Sequence, residues 1–370
     1  MRCAAHTLNL VATSDADNAL DDRNFRSYFV TTFNKCRTLW NKQNQSVLCA
    51  ERIHEKFGKK FVTPNQTRWN SQYDSVVCLL QIINSCKDLK EFNTHITDSY
   101  IKGTKFSSSD VTFLKQYKTV MLPVAEGLDK LQSEKDAYQG LFVPVICLIK
   151  DDLQEFSDND QLGLVRPLVM ALIEGMNRRF EAALDNQDYL LAAAFHPIFR
   201  LDWMENLLPL KLESTKTTMK NLVFTELKKI GHIGASLQGH EDEEEQVRHE
   251  EDSAPKPKSP AKKSWLSKIK NKGSQESGSD AALKQKASSI VDAWLTGCTE
   301  EGTKFTDSVF MGEQVLVNLF IKYNTGIPSS AGVERMFSIG KLILRDNRSK
   351  LSDENFQRLM LMKGNTNLPR

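Results

Sequence analysis

Apolar residues recur at steps of three and four along most of the chain, which is the spacing of amphipathic α-helices. The clearest stripes are Val76, Leu79, Leu80 and Ile83; Phe113, Tyr117, Val120, Met121 and Val124; and Leu168, Leu172, Met176, Phe180 and Leu184. Runs that alternate apolar and polar residues, as half-buried strands do, are few. The pattern predicts a mainly α protein whose largest domain is a stack of helices.

Changes in this pattern divide the chain into four predicted segments. Residues 1–66 have helical spacing, except that the polar stretch 14–24 predicts a loop, and Pro64 ends the segment because proline cannot continue a helix. Residues 67–235 carry the long series of helical stripes. A charged linker over 236–280 separates them from residues 281–370, where helical spacing returns.

The linker combines an acidic block at 241–245 with a stretch rich in proline and lysine that includes Lys262 and Lys263. Little of it can bury apolar surface, so we expect residues 236–280 to be disordered. The lysines suit a nuclear-import signal or contacts with DNA phosphates, which would make the protein a DNA-binding regulator. The alternative is a solvated linker whose charges keep it extended.

Composition narrows the classes of function. Lys and Arg total 49 and Asp and Glu total 47, so a net charge of +2 excludes a uniformly basic nucleic-acid coat and leaves room for a local patch. No apolar run approaches the ~20 residues of a membrane span, so no membrane partner is expected. The seven cysteines are scattered and odd in number, which favours a reducing compartment over a disulfide framework.

The last segment carries the most informative pattern. Ser329 and Ser330 are suited to cap a helix whose apolar face also includes Ile343 and Gly340, a residue that lets a neighbouring element approach. A final helix, capped by Ser352, carries a second stripe. The stripe residues are Val333, Met336 and Phe337 on the first helix, and Phe356, Leu359 and Met360 on the second. Such stripes either pair with a second chain or pack within the same chain.

Residues 328–338 resemble the C-terminal dimerisation region of the hAT transposase superfamily, although Val333 stands where the family has serine. Three further stretches resemble the same family in the expected order. Residues 2–10 are similar to the Cys-x-x-His passage of its RNase H-like domain, and residues 67–71 to the start of its helical insertion domain. Residues 191–199 are a looser match to a late helix of that insertion.

The resemblance implies a helical insertion domain at 67–235, an incomplete RNase H-like α/β core at 1–66 and a C-terminal helical dimerisation region at 281–370. The six stripe residues would then form a dimer interface. We expect a transposase-derived nuclear protein that acts by dimerisation, with a second copy or a related transposase-derived chain as partner. DNA is a further candidate partner.

Catalysis in this family uses two Asp and one Glu to bind two divalent metal ions. By the resemblance, Glu334 occupies the position of the Glu, and both Asp are expected upstream of Cys3. We therefore predict no catalytic activity, no metal site and no cofactor, with Glu334 as a vestigial catalytic residue or a surface carboxylate that pairs with Lys341 or a nearby arginine. The alternative is a fragment of an active transposase, which cleaves and transfers DNA strands, whose Asp residues lie in a missing upstream part.

Two other positions admit a functional and a structural interpretation. The resemblance implies that Trp69 stacks against a flipped base and that Arg68 meets a phosphate beside it; alternatively, Trp69 packs the first helix of the insertion. Cys3 and His6 are both zinc ligand types, but a structural zinc needs four ligands. We therefore expect packing or local hydrogen bonds at Cys3 and His6.

Overall fold

The structure is a computed structural model that describes residues 3–65, 70–133, 137–244, 265–300, 302–344 and 351–364, with backbone alone over 232–244, 265–279 and at 364. The described residues form fifteen α-helices. In chain order they are α1 (Ala4–Leu10), α2 (Arg23–Gln45), α3 (Val47–Phe57), α4 (Asn70–Ser85), α5 (Leu89–Ile96), α6 (Ser108–Leu131), α7 (Phe142–Ser157), α8 (Arg166–Leu184), α9 (Gln187–Ala194), α10 (Asp202–Leu207), α11 (Pro209–Glu244), α12 (Trp265–Thr296), α13 (Gln314–Asn324), α14 (Ala331–Ile343) and α15 (Asp353–Gly364). These ranges contain no β-strand, so the prediction of a mainly α protein is confirmed.

The chain divides into two compact units. Unit 1 comprises Met1–Asn186 together with Gly326–Arg370, and unit 2 comprises Gln187–Thr325. The four segments predicted from the sequence have different boundaries and stay a prediction. Among the described helices, none is both long enough and apolar enough to cross a membrane.

The segment predicted as a disordered linker is helical in the parts that the structure describes. Helix α11 extends through residues 236–244, and α12 covers residues 265–280. Disorder of the whole segment 236–280 stays a prediction. The two helices also contact each other, with an ion pair of 2.7 Å between Lys228 and Asp280. Residues 245–264 lie outside the described residues.

Helix α6 is the central helix of unit 1, where it contacts α1, α2, α4 and α7. It begins with a capping box: the Ser107 hydroxyl accepts the Asp110 backbone N–H, and the Asp110 carboxylate accepts the Ser107 backbone N–H. The stripe predicted from the sequence is buried along its whole length. Its residues are Phe113, Tyr117, Val120, Met121 and Val124. The Tyr117 ring meets Phe33 of α2 edge to face, with 5.1 Å between ring centroids.

The polar stretch 14–24, predicted as a loop, is mostly helical. It is covered by a π-helical segment, Val11–Asp15, a 3-10 helix, Ala16–Asp21, and the start of α2. Both short segments contact α8. The loop prediction was wrong because the stretch takes its structure from α8, more than a hundred residues further along the chain.

Asp15 is a buried carboxylate between two arginines of α8. It accepts hydrogen bonds from Arg179 at 2.5 and 2.8 Å and a further one from Arg178. Gly175 provides the space, because a Cβ atom at this position would lie 2.6 Å from Oδ2 of Asp15. Burial by itself raises the pKa of Asp15, but the hydrogen bonds and charges of the two arginines outweigh it and lower the pKa below its ordinary value.

Unit 2 has a core of aromatic rings. Trp294 of α12 is fully buried, and its indole N–H donates to the backbone oxygen of Ala194 at 2.9 Å. His196 follows α9 and lies against Phe199, Phe305 and Phe320, with ring centroids 4.8 to 6.0 Å away. Burial in these surroundings lowers the pKa of His196 to about 4. The neutral imidazole is therefore the form that the folded unit favours.

The Asp15 site generates a prediction about stability. We expect Asp15→Asn to lower the free energy of unfolding by about 2–3 kcal/mol, because two arginine charges then face a neutral group at a buried position. The measurement is urea denaturation followed by circular dichroism at pH 7. The control is Asp17→Asn, which changes an exposed carboxylate and should cost less than about 0.5 kcal/mol. Equal losses in the two variants would contradict the buried pair.

The pH dependence of the same pair has a defined sign. A lowered pKa in the folded state means that Asp15 stabilises the protein fully above the carboxylate's unfolded pKa of about 3.9. This contribution is lost as the pH falls further, through the lower pKa of the folded state. The difference between Asp15→Asn and the unmodified chain should therefore shrink below about pH 4.

His196 generates a second prediction about stability and pH. The stability that its neutral form contributes should be lost at a higher pH than that of Asp15. Its folded pKa of about 4 lies below the ordinary 6.5, so its contribution is full above pH 6.5 and is lost as the pH falls towards 4. We expect the unmodified chain to lose about 2 kcal/mol more stability than His196→Gln between pH 7 and pH 5. Urea denaturation at both pH values measures it. His54→Gln, at an exposed position of α3, serves as the control and should behave like the unmodified chain.

Candidate functional site

Helices α14 and α15 contact each other through Gly340. A Cβ atom at this position would lie 3.4 Å from the ring of Phe356 and 3.5 Å from the sulfur of Met360. The expectation that Gly340 lets a neighbouring element approach is confirmed. Phe356, Leu359 and Met360 are half-buried, so part of the second predicted stripe is already covered within unit 1.

The first predicted stripe stays exposed on α14. Val333 is 51% exposed, Met336 42% and Phe337 72%. We call these three residues the α14 face; they lie at helical steps of three and four and therefore share one side of the helix. Leu344, 54% exposed, lies seven residues beyond Phe337 and extends the same side. An aromatic ring this exposed, among other apolar side chains, is typical of an interaction surface.

Two serine hydroxyls lie at the start of α14, as the sequence predicted, but only that of Ser329 accepts a backbone N–H of the helix. The Ser329 hydroxyl accepts the backbone N–H of Ala331 at 3.0 Å. The Ser330 hydroxyl makes no capping bond to the helix backbone and donates to the Glu334 carboxylate at 2.7 Å. Glu334 is exposed, and its hydrogen-bond partner is Ser330 rather than the expected Lys341.

The start of α14 is hydrogen-bonded to the start of α1, and both lie in stretches that resemble the hAT family. The backbone N–H of Ala4 donates to the carbonyl oxygen of Pro328 at 2.8 Å. The Cys3 sulfur accepts the backbone N–H of Ser330 at 3.2 Å and that of His6 at 3.4 Å. Burial alone raises the pKa of the Cys3 thiol, but these bonds and the neighbouring Ser329 hydroxyl outweigh it and lower the pKa.

The interpretation of Cys3 and His6 as locally bonded residues is supported. Cys3 caps α1 by accepting a backbone N–H, while the His6 side chain is exposed. Over the ranges that the structure describes, no three His, Cys, Asp or Glu side chains lie together as a metal site would require.

Arg335, near the start of α14, makes a further contact within unit 1. Both terminal nitrogens of its guanidinium donate to the carbonyl oxygen of Gln132, each at 3.2 Å. Gln132 is the residue that follows α6 and caps its end. Backbone oxygens at the end of a helix lack partners within it and carry partial negative charge, so a guanidinium is well suited to them.

Sequence reasoning did not find the partners of Cys3 and Arg335. Ser330 and Gln132 lie 327 and 203 residues away from them, and periodicity reports only neighbours within one helix. The position of Arg335 two residues from Val333 and from Phe337 was a usable signal, because it places the charge on the opposite side of the helix.

Four predicted DNA-contact residues lie outside the described residues. They are Arg68, Trp69, Lys262 and Lys263. The stretch that contains Arg68 and Trp69 is flanked by Asn65 and Ser71, which exchange hydrogen bonds of 2.9 and 3.0 Å. DNA contact at the four positions stays a prediction.

The amino-acid sequence matches no protein-family model, and it matches none of the curated proteins with which it was compared. The hAT resemblance therefore depends on the motifs quoted above and stays a prediction. The geometry of α14 and α15 stands independently of it: a half-buried stripe on one helix and an exposed face on the other.

The contact at Gly340 can be tested with a matched pair of glycines on α14. We expect Gly340→Val to separate α15 from α14, because the added methyl groups would overlap Phe356 and Met360. Amide hydrogen exchange in residues 353–364 should then accelerate at least about tenfold.

The control is Gly332→Val, which makes the same substitution on the same helix where a Cβ atom meets nothing within 4 Å. Exchange in α15 should stay as in the unmodified chain. Equal acceleration in both variants would mean that helix propensity, and not the contact, controls α15.

Proposed function

We propose that this protein is transposase-derived and acts by associating, through α14 and α15, with a second copy of itself or with a related transposase-derived chain. The observation that carries the proposal is the α14 face, on which Phe337 is 72% exposed beside the exposed Val333 and Met336. In water such a cluster leaves apolar surface unburied, and a partner chain would bury it.

The energetics favour a partner that covers more than these three side chains. Burying a valine, methionine or phenylalanine side chain contributes about 1.5–3 kcal/mol each, whereas association costs about 4–15 kcal/mol in lost freedom of motion. A stable interface buries roughly 1,200–2,000 Å² in total. Leu344, which follows α14, and Leu361 and Met362 of α15 are exposed by 54%, 61% and 68%, and they supply additional apolar area.

The finer parts of the proposal are supported by the sequence motifs. In it, residues 3–65 are the helical part of an incomplete RNase H-like core, and the protein acts in the nucleus without strand-transfer chemistry. A structural role of Glu334 is supported by its bond to Ser330, which places the carboxylate at the start of α14. Carboxylates at that end of a helix stabilise it through the helix dipole.

The proposal predicts the effect of a charge on the α14 face. We expect Phe337→Asp to raise the dissociation constant of the dimer by about 30- to 100-fold, because the burial of one phenylalanine is lost and a carboxylate is desolvated. Sedimentation equilibrium over a range of concentrations measures it.

The control is Leu342→Asp. Leu342 is 59% exposed on the same helix and lies about 180° from Val333 around its axis. Its substitution should leave the dissociation constant unchanged. An unmodified chain that stays monomeric up to about 100 μM, far above the range of specific interfaces, would refute the proposed function.

A further inference from the structure

Arg335 lies on the side of α14 that is opposite to the α14 face. Successive residues of an α-helix are about 100° apart, so Arg335 lies about 160° from both Val333 and Phe337. Its guanidinium binds the carbonyl oxygen of Gln132 through both terminal nitrogens, at 3.2 Å each. A contact on this side of the helix directs the other side, with Val333 and Phe337, away from α6.

The hydrogen bonds from Arg335 restrict the rotation of α14 about its own axis as well as its position. Two donors on one planar guanidinium meet one acceptor, so the direction of approach is more restricted than for a single donor. The acceptor is the residue that follows α6, and its own backbone N–H donates to the carbonyl oxygen of Leu128 within that helix at 2.9 Å. A rotation of α14 by one residue position would move Arg335 away from Gln132 and turn Phe337 out of the face.

A second contact holds the beginning of α14 from the direction of α1. Ser330 donates its backbone N–H to the Cys3 sulfur at 3.2 Å, and Pro328 accepts the N–H of Ala4 at 2.8 Å. These bonds fix where the helix starts, but both involve backbone atoms outside its turns. Arg335 is a side chain within α14 that hydrogen-bonds to the backbone following α6, and it therefore bears on which residues face outward.

We infer that Arg335 is a positioning residue for self-association: by binding Gln132 it orients α14 so that Val333, Met336 and Phe337 face a partner chain together. The inference rests on the proposed function. It assigns to Arg335 an effect on the partner interface, although the side chain points away from that interface.

The test compares dimer dissociation constants of four chains by sedimentation equilibrium: unmodified, Arg335→Gln, Arg335→Lys and Arg358→Gln. We expect Arg335→Gln to weaken the dimer about tenfold, a loss that one charge-assisted hydrogen bond is able to cause. Arg335→Lys keeps the charge and can donate to the same oxygen, so it should restore part of the affinity. A residue that acted only on stability would shift unfolding without this graded order of affinities.

Arg358→Gln is the control for charge. Arg358 lies on the neighbouring helix α15, its side chain is 68% exposed, and it pairs with Glu354 at 2.6 Å. Removing its charge should leave the dissociation constant unchanged. A dimer of unmodified strength in Arg335→Gln would overturn the inference while leaving the proposed function intact.

Three further outcomes are decisive. Should Arg335→Gln lose helical circular dichroism, Arg335→Lys decides: affinity below that of Arg358→Gln supports the inference, and equal affinity refutes it. A monomeric unmodified chain refutes the proposed function, and the inference with it. Faster amide exchange over residues 331–343 in dilute Arg335→Gln, with α6 unchanged, supports a loss of orientation in the monomer itself; unchanged exchange there contradicts it.

Discussion

The packing of α6 is the constraint on which the arrangement of unit 1 depends. This helix is buried against α1, α2, α4 and α7, and its length and direction are set by those contacts. Gln132, the residue that follows it, presents a carbonyl oxygen at the partly negative end of the helix dipole. Arg335 binds that oxygen, so the position of α14 follows from α6. An exposed apolar face on α14 is then a consequence of how the core of the unit is built.

Each unit contains a buried ionisable group, and the two groups favour different charge states. In unit 1 the carboxylate of Asp15 keeps its charge, because Arg178 and Arg179 bond to it and lower its pKa. In unit 2 the imidazole of His196 meets aromatic rings, and burial lowers its pKa until the neutral form prevails. Both follow from the high cost of burying a charge without a partner. Because the two groups titrate at different pH, acid should weaken unit 2 before it weakens the Asp15 site.

Local patterns predicted helices well and long-range contacts poorly. The Phe113 stripe of α6 and the close approach at Gly340 could be predicted, since each depends on neighbours within a few residues and on side-chain size. The stretch 14–24 was assigned to a loop because its polar residues gave no sign of Arg178 and Arg179, which lie in α8.

Glu334 and Arg335 are adjacent in the sequence but about 100° apart around α14, so one residue pair serves two contacts. Glu334 reaches back to Ser330 at the start of the helix, and Arg335 reaches across to α6. Replacing Glu334 alone would loosen the first turn, whereas replacing Arg335 alone would remove both hydrogen bonds to the Gln132 carbonyl and leave the bonds between the start of α14 and the start of α1 in place. The acidic–basic pair therefore bonds in two directions, the carboxylate at the start of its own helix and the guanidinium across to the backbone that follows α6.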